Sequence, residues 1–149
     1  MLDGLFVTPA VTAVTEALRS ARVDDGKLAV VGDAKLATAL AKPPKSSVVV
    51  AVGLSQRAAK KHPSALADLS SIDDGSLAGV IGVDVAMRDD WEAALRDWSR
   101  VVRDGGALVF VDRGRAAEAS RRALCAGLTE LEQRHAGRLV ITSGLVTHL

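Results

Sequence analysis

Short apolar runs of strand length alternate with helical patterns along most of this 149-residue chain. The runs are rich in valine, leucine and alanine, which is typical of strands buried on both faces of a parallel sheet. Such alternation requires crossover helices on both faces of that sheet. The sequence therefore predicts an α/β fold with one doubly wound, mostly parallel, Rossmann-like sheet. The predicted strands are Lys27–Val31, Ser47–Val52, Leu77–Val85 and Ala107–Val111.

Helix start and stop signals lie before and between these runs. Thr8 followed by Pro9 predicts an N-cap and first turn, and the amphipathic pattern that follows ends near Val23. The later helices are predicted from a polar cap to a turn residue. They run from Asp33 to Leu40, from Ser55 to His62–Pro63, and from Asp89 or Asp90 to Gly105–Gly106.

The C-terminal part is predicted to contain one long helix and a closing hairpin. Leu124, Leu128 and Leu131 recur at helical spacing within the predicted helix 116–135. Two short runs, 138–142 and 145–148, flank Ser143–Gly144 and predict an antiparallel hairpin. We therefore expect one domain overall, in which residues 1–26 form a helix packed on an α/β unit of residues 27–149.

Composition excludes several classes of partner. The 19 Lys and Arg residues nearly balance the 18 Asp and Glu residues, and aromatic residues make up 3% of the chain. Because the chain has a net charge near zero and few aromatic side chains on which bases could stack, it is not expected to bind nucleic acid. The apolar runs are too short to span a membrane, and the single Cys125 cannot form an internal disulfide. We expect a cytoplasmic protein.

Three segments carry a resemblance to a known family. They are Ala65–Leu69, the stretch Ile72–Ile81 and the passage Arg100–Asp112, which reads RVVRDGGALVFVD. In order and spacing these segments resemble class I S-adenosylmethionine-dependent methyltransferases from about Leu28 to the C-terminus. The resemblance implies the parallel sheet, a late antiparallel strand and a cofactor site at the carboxyl ends of the first strands.

The cofactor motifs of that family are incomplete here. The family has a glycine-rich turn after strand one, whereas this chain has Gly32 followed by Asp33, and we expect the pocket there to be narrowed or closed. The family's ribose-binding acid at the end of strand two is replaced by Val52-Gly53-Leu54-Ser55. Asp68 matches the family's adenine-contacting acid. If the site is active, the resemblance implies Gly32, Asp33, Leu54, Ser55, Asp68, Leu69 and Asp84 as cofactor-binding residues.

Few residues are candidates for catalysis or for binding an anion or a metal. Asp84 and Asp112 end strands at the edge where ligands of α/β proteins bind, and each is either a turn residue or a proton acceptor. Arginines 113, 115, 121 and 122 form either an anion-binding patch or a solvated helix face. The three histidines, His62, His135 and His148, do not have the spacing of a metal site. We predict no catalytic residue and no metal.

Three functional hypotheses follow. The first is a non-catalytic methyltransferase-like domain that binds a protein partner or a second copy of itself through exposed apolar residues, with Leu2, Leu5, Phe6 and Val146 as candidates. The second is an active small-molecule methyltransferase that binds S-adenosylmethionine through an atypical loop. The third places another nucleotide or acyl ligand at the carboxyl edge of the sheet.

Overall fold

A computed structural model of the chain describes residues 4–23, 26–41 and 48–148, with side chains described from residue 7 onward. Predicted features at Leu2 and Ser47, and the side chains of Leu5 and Phe6, lie outside this description. The described helices are α1 (Gly4–Ser20), α2 (Ala34–Ala41), α3 (Gln56–Ala59), α4 (Trp91–Val101) and α5 (Ala116–Cys125), with a 3₁₀ turn at Val85–Met87. The strands are β1 (Lys27–Val31), β2 (Val48–Val52), β3 (Leu77–Val83), β4 (Val102–Asp112), β5 (Thr129–Ala136) and β6 (Leu139–Leu145).

The described strands form one six-stranded sheet in the order β2-β1-β3-β4-β6-β5. The pairs β1–β2, β1–β3 and β3–β4 are parallel, whereas β6 runs antiparallel to both β4 and β5. This arrangement confirms the predicted α/β class with a mostly parallel sheet and antiparallel C-terminal strands. None of the described helices is both long and apolar enough to cross a bilayer.

Helices cover both faces of the sheet. On one face, Val14 and Leu18 of α1 and Leu36 of α2 are fully buried against strand residues such as Ile81 and Val109. On the other face, Trp98 of α4 packs in the same cluster as Phe110, Val80 and residues of α5. Burial on both faces explains why the central strands are apolar throughout rather than alternating.

Helix α1 begins and ends earlier than predicted. It starts at Gly4 and ends at Ser20, with Pro9 inside it, so Thr8 is not its N-cap. The Thr8 carbonyl instead accepts a hydrogen bond from the Thr12 hydroxyl at 3.2 Å. Because Pro9 lies beyond the first turn, its missing amide removes one backbone hydrogen bond of the helix.

The passage Gly105–Gly106 is part of a strand and does not end a helix. Helix α4 stops at Val101, and β4 begins at once with Val102. The pairing of β3 with β4 jumps from Val102 to Ala107, so Gly105 and Gly106 lie in a bulge at the start of the strand. A side chain at Gly106 would come within 2.6 Å of the Ala78 carbonyl oxygen, which explains the glycine there.

The C-terminal prediction is wrong in two respects. The predicted long helix ends at Cys125, and Thr129–Ala136 is a strand. Gly127, with a φ of +82°, ends the helical path. The closing hairpin is formed by β5 and β6, which pair across the turn that follows Ala136, and Ser143–Gly144 lies within β6 rather than at a turn. Strand β3 also ends at Val83, two residues earlier than predicted.

Candidate functional site at the carboxyl edge of the sheet

The loops that follow the four parallel strands meet at one edge of the sheet. Strand β1 is flanked by β2 on one side and β3 on the other, so the strand order reverses there. In open α/β sheets, ligands bind beside such a reversal, outside the carboxyl ends of the strands. The predicted site residues fall on or beside these loops. Four of them line three separate cavities: Ser55 lines one, Asp68 and Leu69 another, and Asp84 the third.

The turn after β1 is tight and is stabilised by the chain's own side chains. Gly32 has a φ of +92°, and its amide donates to the Val52 carbonyl at 2.9 Å. The side chain of Asp33 is completely buried, and its Oδ1 accepts a 2.8 Å hydrogen bond from the Leu36 amide. This bond confirms the predicted cap of α2. Leu36 is itself fully buried in the core, so it also holds the start of the helix in place.

The end of β2 has no carboxylate. Gly53 has a φ of +65° and donates its amide to the Leu66 carbonyl at 2.9 Å. Leu54 is half-buried, and Ser55 accepts a hydrogen bond from the Ala58 amide at 3.3 Å through Oγ. Ser55 is therefore the N-cap of α3, as its position in the sequence predicts.

Asp68 lies on an exposed loop beyond the edge of the sheet. Within the described residues, the segment before Asp68 pairs with β2 in one parallel bridge, between Val52 and Leu66. Hydrogen bonds from the Ser70 hydroxyl and amide, at 2.6 and 3.0 Å, reach Oδ1 of Asp68 and lower the pKa of this carboxyl. Asp68, Gly53 and buried Leu69 line a cavity of about 230 Å³ that Trp98 of α4 also lines.

Arg100 anchors this loop, and its role was not predicted from the sequence. Its guanidinium donates to the carbonyls of Leu69 and Ile72, each at 3.0 Å, and to the carboxylates of Asp74 and Asp97. These hydrogen bonds raise the pKa of Arg100. The three-residue spacing to Asp97 on α4 was the only local signal, because the remaining partners lie more than 25 residues away in sequence.

A second cavity, which we call the basic cleft, lies beside the turn after β1 and the start of α3. It has a volume of about 400 Å³. The edge of the sheet is therefore not fully closed next to Ala34 and Ser55, where this cleft is open. Its lining is strongly cationic. The lining residues are Ala34, Lys35, Ser55, Arg57, Ala58, Lys61 and His62.

The third cavity, which we call the carboxylate cleft, has a volume of about 280 Å³ and contains both predicted strand-end acids, Asp84 and Asp112. Asp84 has a φ of +60° and lies 3.5 Å from the guanidinium of Arg113. Asp112 is 2% exposed and accepts a 2.8 Å hydrogen bond from the Ala86 amide. Burial raises the pKa of Asp112 to about 6, and the Asp84 carboxylate adds to this rise.

The four arginines considered as an anion patch do not act together. Arg121 and Arg122 both bind Glu118, which lowers the pKa of that carboxyl to about 2, and both lie over the Trp91 ring at 5.3 and 5.1 Å. Arg122 is not on a solvated face either, since it also donates to the backbone carbonyls of Val85 and Arg88. Arg113 pairs with Asp84, and Arg115 lines the carboxylate cleft.

Val146 does not have the exposed side chain that was predicted for it. It is 3% exposed, and its backbone forms 2.8 Å hydrogen bonds with Gly105 and Gly106. This pairing holds Val146 against the bulge of β4. The exposed large apolar side chains among the described residues are Val48, Met87 and Leu124. Within the described part of the chain, no three His, Cys, Asp or Glu side chains are grouped as a metal site would require.

The chain is similar in fold to several solved methyltransferase structures. The chain superposes on a chain of the Haloferax volcanii complex between the Trm112 methyltransferase activator and a predicted methyltransferase, with a TM-score of 0.69, 15% identity and coverage of 91% and 89% of the two chains. A Thermotoga maritima SAM-dependent methyltransferase gives a TM-score of 0.65 at 16% identity, with 95% of this chain and 100% of that chain covered.

A third match is the Thermus thermophilus 16S rRNA methyltransferase RsmC in complex with AdoMet and guanosine. Its TM-score is 0.60 at 15% identity, and the match covers 83% of this chain but 36% of that one. No protein-family model matches the chain, and no curated protein is similar to it in sequence. At these identities the similarity is one of fold, and the chain is a methyltransferase-fold protein.

Proposed function

We propose that this chain is a non-catalytic methyltransferase-fold domain that acts as a protein-interaction module. The observation that carries this proposal is that the polar side chains after β1 and β2 bind the chain's own backbone. Asp33 caps α2 from a fully buried position, and Ser55 caps α3, so both side chains bind the chain's own backbone. Side chains committed to caps are not available to hold a ligand in the same geometry.

The charge of the basic cleft also disfavours S-adenosylmethionine. The sulfonium centre of that cofactor is a cation, and Lys35, Arg57 and Lys61 line the open space beside the turn. At the end of β2, where the family binds the ribose hydroxyls with an acid, Gly53 has no side chain to accept them. A cofactor in this cleft would therefore meet like charge and lack its ribose acceptor.

The surface that we assign to the interaction is the outer edge of β2, and the occupant is a second copy of the chain. Val48 is 62% exposed at this edge, and Val49 and Val50 are half-buried. Among the described residues, only the C-terminal end of β2 has an outer neighbour, through the bridge to Leu66. An apolar strand with an open edge can pair with its copy in another chain.

Calorimetric titration tests the loss of cofactor binding. We expect no binding heat when S-adenosylmethionine or S-adenosylhomocysteine is added to the protein, whereas T. thermophilus RsmC, solved with AdoMet, serves as the positive control. A thermal melt provides the second readout, because a ligand at 100 times its dissociation constant adds about 2.7 kcal/mol of stability. Micromolar binding in either measurement would refute the proposal.

One observation favours an active methyltransferase as a second candidate. Asp112, whose pKa is raised to about 6, lies in the same cleft as Asp84. A carboxyl with a pKa near neutrality is suited to accept a proton from a methyl acceptor. The two candidates differ in a direct assay, since only the enzyme would transfer a labelled methyl group from S-adenosylmethionine to small amines, thiols or hydroxyl compounds.

A further inference from the structure

We propose that the basic cleft is a binding site for a phosphorylated small molecule, held by Lys35, Arg57 and Lys61. The inference goes beyond the proposed function and does not depend on it, because it concerns the ligand that the cleft accepts rather than the cofactor that it lacks. It rests on three features of the cleft. They are the convergence of cations from two elements, the lack of acidic partners for these cations among the described residues, and the size and lining of the space.

The cations converge on the cleft from both sides. Lys35 lies in the first turn of α2, directly after the β1 turn, whereas Arg57 lies in α3 and Lys61 follows it. These elements are brought together because β1 and β2 are neighbours and run parallel, so the segments after them leave the sheet at the same edge. The cleft is therefore a product of the topology and not of one run of basic sequence.

No described acid neutralises these side chains. The ion pairs in the described part of the chain involve other cations, such as Arg100, Arg113 and Arg122, and none involves Lys35, Arg57 or Lys61. The nearest acid in sequence, Asp33, is directed inward, is fully buried and binds the Leu36 amide. The cleft thus presents net positive charge although the whole chain has a formal net charge of +1.

The lining specifies the class of anion. Three cations around one space match the two negative charges of a phosphate monoester better than the single charge of a carboxylate, and Arg57 can bind two phosphate oxygens at once. A volume of about 400 Å³ lies within the range of sites for small molecules. The lining contains no Phe, Trp or Tyr on which a base could stack, which disfavours single-stranded nucleic acid.

The test is an amide NMR titration of the full chain with inorganic phosphate and with methyl phosphate, at constant ionic strength maintained with sodium chloride. We expect saturable shifts confined to amides near residues 34–36 and 55–62. The double variant Arg57→Gln/Lys61→Gln should weaken binding by about tenfold or more, which corresponds to about 1.4 kcal/mol. The matched control Lys27→Gln/Arg138→Gln removes two exposed cations elsewhere and should leave binding within about twofold.

Several results would overturn this inference. One is the absence of saturable shifts, and another is equal weakening in the test and control variants. A third is tight binding of a single-stranded RNA oligonucleotide that neither phosphate compound displaces, which would assign the cleft to nucleic acid. Thermal melts of both double variants verify that they fold. Binding of S-adenosylmethionine would refute the proposed function but would leave the phosphate titration as an independent measurement.

Discussion

The carboxyl of Asp112 accepts a hydrogen bond from the Ala86 amide at 2.8 Å through Oδ1, while its Oδ2 is buried without a hydrogen-bond partner in the described structure. The bond joins the end of β4 to the 3₁₀ turn after β3. Because one oxygen is unsatisfied, the neutral form of this side chain is favoured, and burial raises the pKa of Asp112 from 3.8 to about 6.

This raised pKa predicts how stability depends on pH. Between about pH 4 and 6 the unfolded chain loses this proton before the folded chain does, so the contribution of Asp112 to folding becomes less favourable as pH rises. Above pH 6 this shift in pKa lowers the free energy of unfolding by roughly 3 kcal/mol. Asp112→Asn should therefore be about 1–2 kcal/mol more stable than the wild type at pH 8, since its amide is uncharged but still lacks a partner.

Urea denaturation at pH 4 and pH 8 measures this difference. The advantage of Asp112→Asn should be much smaller at pH 4, where the wild-type carboxyl is protonated in the folded state and about half protonated in the unfolded state. The control Asp89→Asn changes an exposed acid in the adjoining loop and should show no such pH-dependent gain. A stabilisation of Asp112→Asn that is equal at both pH values would contradict the explanation from ionisation.

Gly82 and Trp98 define a second testable contact. A Cβ at Gly82 would lie 2.4 Å from the indole of Trp98, which covers β3 at this position. Because the overlapping group is a rigid ring in the core, Gly82→Ala should destabilise the protein by about 1–3 kcal/mol. The double variant Gly82→Ala/Trp98→Leu should lose less stability than the sum of the two single variants, since the smaller side chain leaves room. Additive losses of stability would show that the overlap at Gly82 is relieved without a change at Trp98.

The parallel part of the fold could be predicted from the sequence, because burial on both faces makes each of its strands a continuous apolar run. Lys27–Val31 has the predicted bounds, and the caps at Asp33 and Ser55 were predicted from residue type and position alone. These signals are local, since a cap involves residues three positions apart. The family resemblance added the order of the elements, and the solved structures with this fold agree with it.

The C-terminal strands were not predictable in the same way. Leu128 and Leu131 have helical spacing, yet both contact the position of Gly144 across the β5–β6 pair, where a Cβ would lie within 2.8 Å of each. Leu128 lies directly before β5 and Leu131 lies within it, and the register of β5 is irregular between Thr129 and Glu132. A bulge shifts the alternation of side chains, so the apolar pattern no longer has the period of a regular strand.

The cavities at the strand ends depend on contacts that sequence spacing does not encode. The sequence left Arg122 as part of either an anion-binding patch or a solvated helix face, but in the structure it donates to the carbonyls of Val85 and Arg88, more than 30 residues away. The basic cleft likewise requires the packing of two separate segments after neighbouring strands. Residue types at the edge could be predicted, whereas the distribution of those residues among three cavities required the structure.

Arg100 provides a prediction about the loop that carries Asp68. Replacing it by Met removes the donors to the carbonyls of Leu69 and Ile72 while retaining an apolar stem. We expect a loss of about 1.5–3 kcal/mol in the free energy of unfolding, as for hydrogen bonds from charged groups. Hydrogen exchange should accelerate at the amides of residues 70–76. The control Arg96→Met lies on the same helix without a described partner and should change neither quantity.

The edge of β2 predicts the oligomeric state. Light scattering after size exclusion should give the mass of a dimer at high protein concentration, and Val48→Lys should give a monomer, because a lysine on an edge strand opposes pairing with a second copy. Val48 is 62% exposed, so the variant should retain its fold and melting temperature. The control Thr129→Lys places the same charge on β5, at the opposite edge of the sheet, and should remain dimeric. A wild-type protein that stays monomeric at millimolar concentration would exclude this interface.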